Sequence, residues 1–403
     1  MPPMTSQLTR PMWGAMLAAS FASTIGGLPF NALPILLGTL SDSFRLGAAA
    51  TGLLGSSCFA GYLLGTLLSA LYMDKFNWPW LTRLSALGAA GALLLSSQLP
   101  LWFQYPLWAL VGFFAALMTC LGLRIMGALP DKERALSLRL AVELAVTSAV
   151  LFALPPLVIA RWHYPGLVLA LSAIILLLSL SSLKLPRRDA LPGTRAGGDA
   201  RSIADSLRLP WPAFAALACF FVYGTGQIGL WAFLERIGHS HALSASELGL
   251  TFAVLKLLGG AAAGSLILVG ERLGYRLPHG IVLLVIAAGL FLMSQGGFAG
   301  FAIGAWVWEA GFTWGCIYQT AAIARLDASG RSVMLIPAAF ALAAMLGPGL
   351  AGFLSASGFA PLYLLAAATA LLPVAVYTLF LARRMTQPTA PQAGDVAQVA
   401  DVL

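Results

Sequence analysis

SALYMDKFNWPW at residues 69–80 and LILVGERLGYRL at residues 266–277 stand 197 positions apart and share one plan. In each, an apolar run ends in an acid followed by a base, Asp74-Lys75 and Glu271-Arg272, and another apolar run begins after a few turn-forming residues. Glycines stand behind both copies, Gly61 and Gly65 in the first and Gly260 and Gly264 in the second, and Gly52 falls on Gly249. With a register one residue shorter, Asn31 falls on Gln227, Cys120 on Cys316 and Asp131 on Asp327. So long a period marks two similar halves, each a multi-helix unit, rather than a solenoid with repeats of about 20 to 50 residues.

Hydrophobic residues make up 59% of the 403, charged residues only 9%, and the mean hydropathy is +0.87. That composition cannot cover a water-facing surface, and it places the chain in a lipid bilayer. Cys58, Cys120, Cys219 and Cys316 all lie inside apolar runs without paired spacing, which argues against a disulfide framework and a metal cluster. The apolar run after Arg10 continues to Leu37, longer than the core of a cleaved leader, and the first half needs it to match the second.

A bilayer core takes about 20 apolar residues per helix. By that measure there are twelve spans: 13–37, 48–73, 80–99, 105–129, 135–160 and 164–183, then 211–234, 247–269, 279–295, 301–323, 333–354 and 361–381. The expected fold is an all-α integral membrane protein of two pseudo-symmetric six-helix bundles, residues 13–183 and 211–383. Residues 1–12 precede the first bundle, 184–210 link the two, and 384–403 form a disordered tail. With the N-terminus in the cytoplasm, 19 of the 23 Lys and Arg fall on the cytoplasmic side, the others being Arg45, Arg161, Arg236 and Lys256. This bias predicts both termini inside, in a plasma or bacterial inner membrane, and accounts for the net charge of +8 without a nucleic-acid partner. Within the linker, residues 199–209 read as a short helix on the membrane surface.

Twelve spans, two halves, a long basic middle loop and an acid-base turn after spans two and eight resemble the major facilitator superfamily of secondary transporters. That family carries roughly G-x-x-x-D-R-x-G-R-K between spans two and three. The first copy keeps Asp74 and Lys75 but has Asn77-Trp78-Pro79 where the glycine and bases belong, and Gly270-Glu271-Arg272-Leu273-Gly274-Tyr275-Arg276 is closer. Pro130-Asp131-Lys132-Glu133-Arg134 resembles the acidic turn ending in Arg that follows span four, and Gly347-Pro348-Gly349 resembles the kink of span eleven. Span five lacks the Gly-Pro pair of proton-driven drug exporters, and residues 105–120 contain no base, so the likeness is to the superfamily rather than to those exporters.

The resemblance implies a solute site between the bundles near mid-membrane, with access alternating as the halves rock. Asp74 and Glu271 are then expected as latches against helix N-termini of the opposite half, with Lys75, Arg134 and Arg272 beside them, and Gly347 and Pro348 as a bending point. A matched pair at symmetry-related places argues for the latch over ordinary topology charges.

A charge in hydrocarbon costs roughly 2.5 to 3.5 kcal/mol even on a lenient scale, so each needs a reason. Lys256 in span eight and Glu309 in span ten share a depth of roughly 14 to 18 Å at 1.5 Å per residue, a placement that allows them to pair. Trp306, Glu309 and Thr313 share a helix face, which suits an aromatic solute wall, although Trp306 and Trp308 read equally as interfacial belt residues. In span five, Glu143 follows Arg139 by one turn, a local neutralising pair, and Arg124 joins that cluster or snorkels to the interface. Asn31 and Gln227, related by the repeat, are candidate donors to a solute. A carboxylate at this depth can load and release protons, so Glu309 and then Glu143 are the candidate proton carriers. No G-x-x-x-x-G-K-[ST] loop is present to bind nucleotide, and no cofactor is expected. His163, His239, His241 and His279 lie at span ends or in loops and give an enzyme no cluster to work with, nor a metal three ligands. The reading is therefore a monomeric, proton-coupled exporter of a small organic solute. An importer or uniporter of a small organic anion, and a non-transporting or lipid-moving protein on the same fold, stand as alternatives.

Overall fold

The computed structural model describes residues 10–127, 132–185, 209–269, 273–274, 276–327 and 331–381. The acid-base turns at Asp131 and at Glu271-Arg272, the expected surface helix in the linker and the tail lie outside the described residues. Asp74 falls in a short 3-10 turn, Met73–Lys75, and its side chain is likewise outside them.

Among the described residues there are helices and no strands. The first half comprises α1 (Arg10–Asn31), α2 (Leu33–Phe44), α3 (Ala48–Tyr72), α4 (Trp78–Ser96), α5 (Leu101–Gly127), α6 (Lys132–Leu154) and α7 (Ala160–Ser179). The second comprises α8 (Trp211–Ser240), α9 (Ala245–Val269), α10 (Leu277–Ser294), α11 (Gly297–Leu326), α12 (Arg331–Leu354) and α13 (Ala360–Ala375). By length and apolarity eight stretches qualify as spans, one of them the 50 residues Arg134–Leu183 that hold two passes, and α1 with α2 makes a ninth, bent by 50°. The polar-dotted α4 and α11 complete twelve.

Sequence chemistry sets the ends and bends. The Asn77-Trp78-Pro79 that departs from the family pattern is a helix start: Asn77 Oδ1 accepts the Trp80 N–H at 3.1 Å and Pro79 needs no donor there. Ser244 and Glu247 exchange bonds at the start of α9, a capping box. The first span runs to Phe44, seven residues past the expected end, because the bend at Ala32 lets α2 continue through Ser41-Asp42. Pro155 and Pro156 remove two consecutive N–H groups, and the helix answers with a π turn at Pro155–Ile159. Spans five and six then join without a loop through His163, at φ 49°.

Two six-helix bundles result, and among the described residues they touch along three main seams: α3 with α12, α6 with α9, and α2 with α8. Small residues make these seams possible. A Cβ on Gly52 would strike the Pro348 carbonyl and one on Gly352 the Ala48 carbonyl. The repeat partner Gly249 lies so that a Cβ would sit 3.0 and 3.1 Å from the Leu151 and Phe152 carbonyls. Those are the two carbonyls that Pro155 and Pro156 leave without a helical donor. Gly52, Gly352 and Gly249 all lie toward the end of the bundle remote from Arg10 and Leu381, the far side, where the halves meet in close contact.

Candidate functional site

Between the halves, at mid-depth, lies a cavity of about 130 Å³. Its first-half lining is Gly26, Gly27 and Phe30 of α1, Phe59 and Tyr62 of α3, Thr119 of α5, and Arg139 and Glu143 of α6; Phe340, Ala341 and Ala344 of α12 close it. One helical turn separates Arg139 from Glu143, and Nη1 of the arginine meets Oε2 of the glutamate at 2.8 Å. The same Nη1 donates to Ser23 Oγ at 2.9 Å, while Asn31 Nδ2 donates to Glu143 Oε1 at 3.2 Å. The absence of side chains at Gly27 lets that carboxylate lie against α1, since a Cβ there would collide with Oε1.

A second ion pair stands behind the first. Lys256 Nζ of α9 is 3.8 Å from Glu309 Oε1 of α11, and both residues are buried. The buried ammonium also lies 3.8 Å from the centre of the Trp231 ring, a cation–π contact. Gly259 leaves room for the Glu309 carboxylate, 2.8 Å from where its Cβ would be. Glu143 and Lys256 interact electrostatically across the α6–α9 seam. Arg139, Glu143, Lys256 and Glu309 thus form a row of alternating sign that crosses from one half to the other and sums to zero, the arrangement that makes buried charge tolerable.

Trp231 ties this row to the bend of the first span. Pro34 cannot donate to the Phe30 carbonyl, the bond an unbroken helix would make, and Trp231 Nε1 donates to it instead at 3.2 Å. The repeat adds a further regularity. Its register puts Phe340 where Glu143 stands in the first half and Phe59 where Lys256 stands in the second. The cavity therefore has a charged wall on the α6–α9 side and an aromatic wall on the α3–α12 side, with Phe30 set edge-on to Phe59 at 5.5 Å and 6.0 Å from Phe340.

The other residues singled out in the sequence take various places. Gln227 is fully buried in the second half: Nε2 donates to the Ala366 carbonyl at 2.7 Å and to Thr369 Oγ1 at 3.2 Å, and Oε1 accepts from Trp308 at 2.8 Å. Trp306 and Trp314 donate to the Thr251 and Ala262 carbonyls at 2.9 Å each, so both indoles are fixed to α9 and neither lines the cavity. The aromatic wall comes from phenylalanines rather than from the tryptophans of span ten. Arg124 lies outside the cavity lining. On the terminal side Lys75 is exposed over the Tyr72 ring at 4.8 Å, and Arg134 is exposed and engaged in an interaction. Gly347 packs on the Thr225 carbonyl within the second half, and Pro348 forms the α3–α12 seam against Gly52 and Gly55.

One cluster was missed. On the far side, Arg236 of α8 meets Asp42 of α2 at 2.7 Å, donates to the Gly38 carbonyl and lies 3.4 Å from Glu235, whose other oxygen is 3.0 Å from His239. Gly38 is required there because a Cβ would strike the Glu235 carboxylate. Glu235-Arg236 and His239 at one helix end, with an acid at the same level of the first span, was the signal, and ending that span at Leu37 hid it. A lateral apolar groove of about 760 Å³ runs outside the α3–α12 seam, lined among others by Leu53, Ala60, Val222, Leu346 and Phe353.

The family model described as Major Facilitator Superfamily matches residues 13–336. A bacterial homolog to the human lysosomal transporter Spinster, in its inward-facing, unoccupied conformation, superposes with TM-score 0.72 at 14% identity, covering 95% of this chain and 99% of its own. The nucleoside transporter NupG superposes with TM-score 0.70 at 13% identity, covering 94% and 100% respectively. At such identities the likeness is one of fold. No curated protein matches the sequence significantly.

Proposed function

The chain belongs to the major facilitator superfamily, a family of secondary transporters and not of enzymes, and on that premise we propose that it moves a small organic solute, coupled to protons, through the cavity between its halves. It is a multi-pass integral membrane protein. The observation that carries the proposal is Glu143. It is a carboxylate within the inter-half cavity, held by Arg139 and Asn31 and in electrostatic reach of Lys256 on the opposite half. A proton taken up there changes the charge balance of solute site and inter-half seam together, which is what coupling requires. Glu309, enclosed against Lys256 and Gly259, serves as the fixed counter-charge that keeps the row balanced. This reverses the order in which the two acids were ranked from sequence.

The positive-inside bias makes the terminal side cytoplasmic. The far side is then external, closed by the α3–α12 and α6–α9 seams and by Asp42 with Arg236. The cycle breaks these contacts and makes others at the terminal side, where Asp74, Lys75, Arg134, Glu271 and Arg272 are the candidate partners.

The test is proton flux into dye-loaded proteoliposomes with organic anions, neutral compounds and cations outside, for wild type, Glu143→Gln and Glu309→Gln. Solute-dependent proton movement in wild type, lost at least tenfold in Glu143→Gln, is the expected result. Solute movement with no proton signal in wild type sinks proton coupling.

A further inference from the structure

Taking the cavity as the transport site, we infer that the solute is a compact aromatic organic anion and that each anion travels in the same direction as one proton. The sign comes from which polar groups remain available. Both Glu143 oxygens are engaged, Oε1 by Asn31 and Oε2 by Arg139, whereas the Arg139 side chain, which lines the cavity, keeps an enclosed Nε with no partner among the described residues. The other polar groups of the lining are the hydroxyls of Tyr62 and Thr119, which can also donate. An entering anion finds donors; an entering cation would have to displace a guanidinium and an amide from the one carboxylate, and stand beside Arg139.

Coupling follows from the same pair. The charged and titratable groups facing Glu143 are Arg139 on its own helix, Tyr62 of α3 and Lys256 of α9, with the neutral Asn31 of α1; α12 presents only Phe340 and two alanines. While Glu143 is ionised, it neutralises Arg139. Protonation leaves the guanidinium with a net charge in a low-dielectric cavity, and an anion restores neutrality. Proton and anion therefore favour each other's binding, reciprocally. No net charge is added when both load, so the row from Arg139 to Glu309 stays balanced as the halves move. The apolar body is set by the opposite wall: Phe30, Phe59 and Phe340 around a space of about 130 Å³, close to the 150 Å³ or so in which an apolar protein cavity holds one benzene ring. At an inward proton gradient such a device takes the solute up, in place of the export read from sequence.

Benzenesulfonate and benzyltrimethylammonium test the inference, because neither probe titrates and any pH dependence belongs to the protein. Binding to the purified full-length protein in micelles is measured from pH 5 to 8 by calorimetry, with melting curves to verify folding. Wild type should bind benzenesulfonate, its affinity falling by up to about tenfold per pH unit on the alkaline limb, and should bind the cation at least tenfold more weakly. Glu143→Gln should bind the anion without pH dependence, and Arg139→Gln should lose at least tenfold. Preference for the cation, a pH-independent wild type, or no binding of either probe to folded protein overturns the inference. Proteoliposome flux separates the two claims. Anion binding without proton-linked flux leaves the anion site standing and removes the coupled-transport reading. Proton flux driven by the cation in exchange does the reverse.

Discussion

The two ion pairs at mid-depth sit in neighbouring positions of one charge row and yet are built differently. Arg139 and Glu143 lie on a single helix, 2.8 Å apart, with side chains 16% and 15% exposed and hydrogen bonds to Ser23 and Asn31. Lys256 and Glu309 join two helices of the same half, 3.8 Å apart, with side chains 7% and 9% exposed and the ammonium on an indole face. The first pair neutralises itself within one rigid element and borders a cavity, so it can exchange partners without disturbing packing. The second is sealed among side chains, so among the described residues each partner is the other's only counter-charge in contact. On the proposed reading, one is arranged to be used and the other to be kept.

The sharpest way to break that contrast is Glu309→Ala, which strands a buried ammonium. It should cost about 3–5 kcal/mol, read as a large fall in melting temperature in micelles, and Lys256→Met with Glu309→Leu should recover most of it. A single variant as stable as wild type would mean the second pair is not a lock. Arg139→Lys keeps the charge but loses the planar fork; transport should drop about tenfold while melting changes little. If melting falls as far as in Glu309→Ala, the first pair is structural too. Asn31→Ala removes one donor from the Glu143 carboxylate and should cost about 1.5–3 kcal/mol, the net worth of a hydrogen bond to a charged group. Smallest is Asp42→Asn, at a site where the acid is 63% exposed and Arg236 23%. An ion pair so open to solvent is worth about 0.2–1 kcal/mol and is screened by salt. Distances between spin labels at Gln98→Cys and Gln295→Cys, in a background without native cysteines, should show slight far-side opening that high salt reproduces in wild type.

Much of the fold was legible because a bilayer imposes long apolar runs, and the 197-residue register exposed the two halves. The mid-membrane charges Lys256, Glu309, Arg139 and Glu143 were legible for the same reason, since lipid makes every such residue conspicuous. The aromatic wall was not. Phenylalanine is common throughout membrane spans, and nothing local distinguishes Phe59 and Phe340 from the lipid-facing Phe214 or Phe353. Gln227 illustrates another limit: an isolated polar residue on an apolar helix reads as a solute ligand until its neighbours Ala366, Thr369 and Trp308 are known. The Asp42–Arg236 contact was lost to a boundary. Ser41 to Ser43 reads as loop, but the bend at Ala32 carries the helix through it.

The glycine seams have a consequence for the protein's surroundings. Gly52, Gly352 and Gly249 bring backbone against backbone with no side chain to repack, and inside hydrocarbon such contacts are held by close packing and by what the lipid chains gain in being rid of a crevice, not by expulsion of water. The closed far side is therefore a balance between protein–protein and protein–lipid contact. Acyl length and lateral pressure become settings of the transport cycle: nanodiscs of increasing chain length should redistribute the Gln98–Gln295 label distances in a graded way with the sequence unchanged. The bilayer is the second partner in every opening of this molecule.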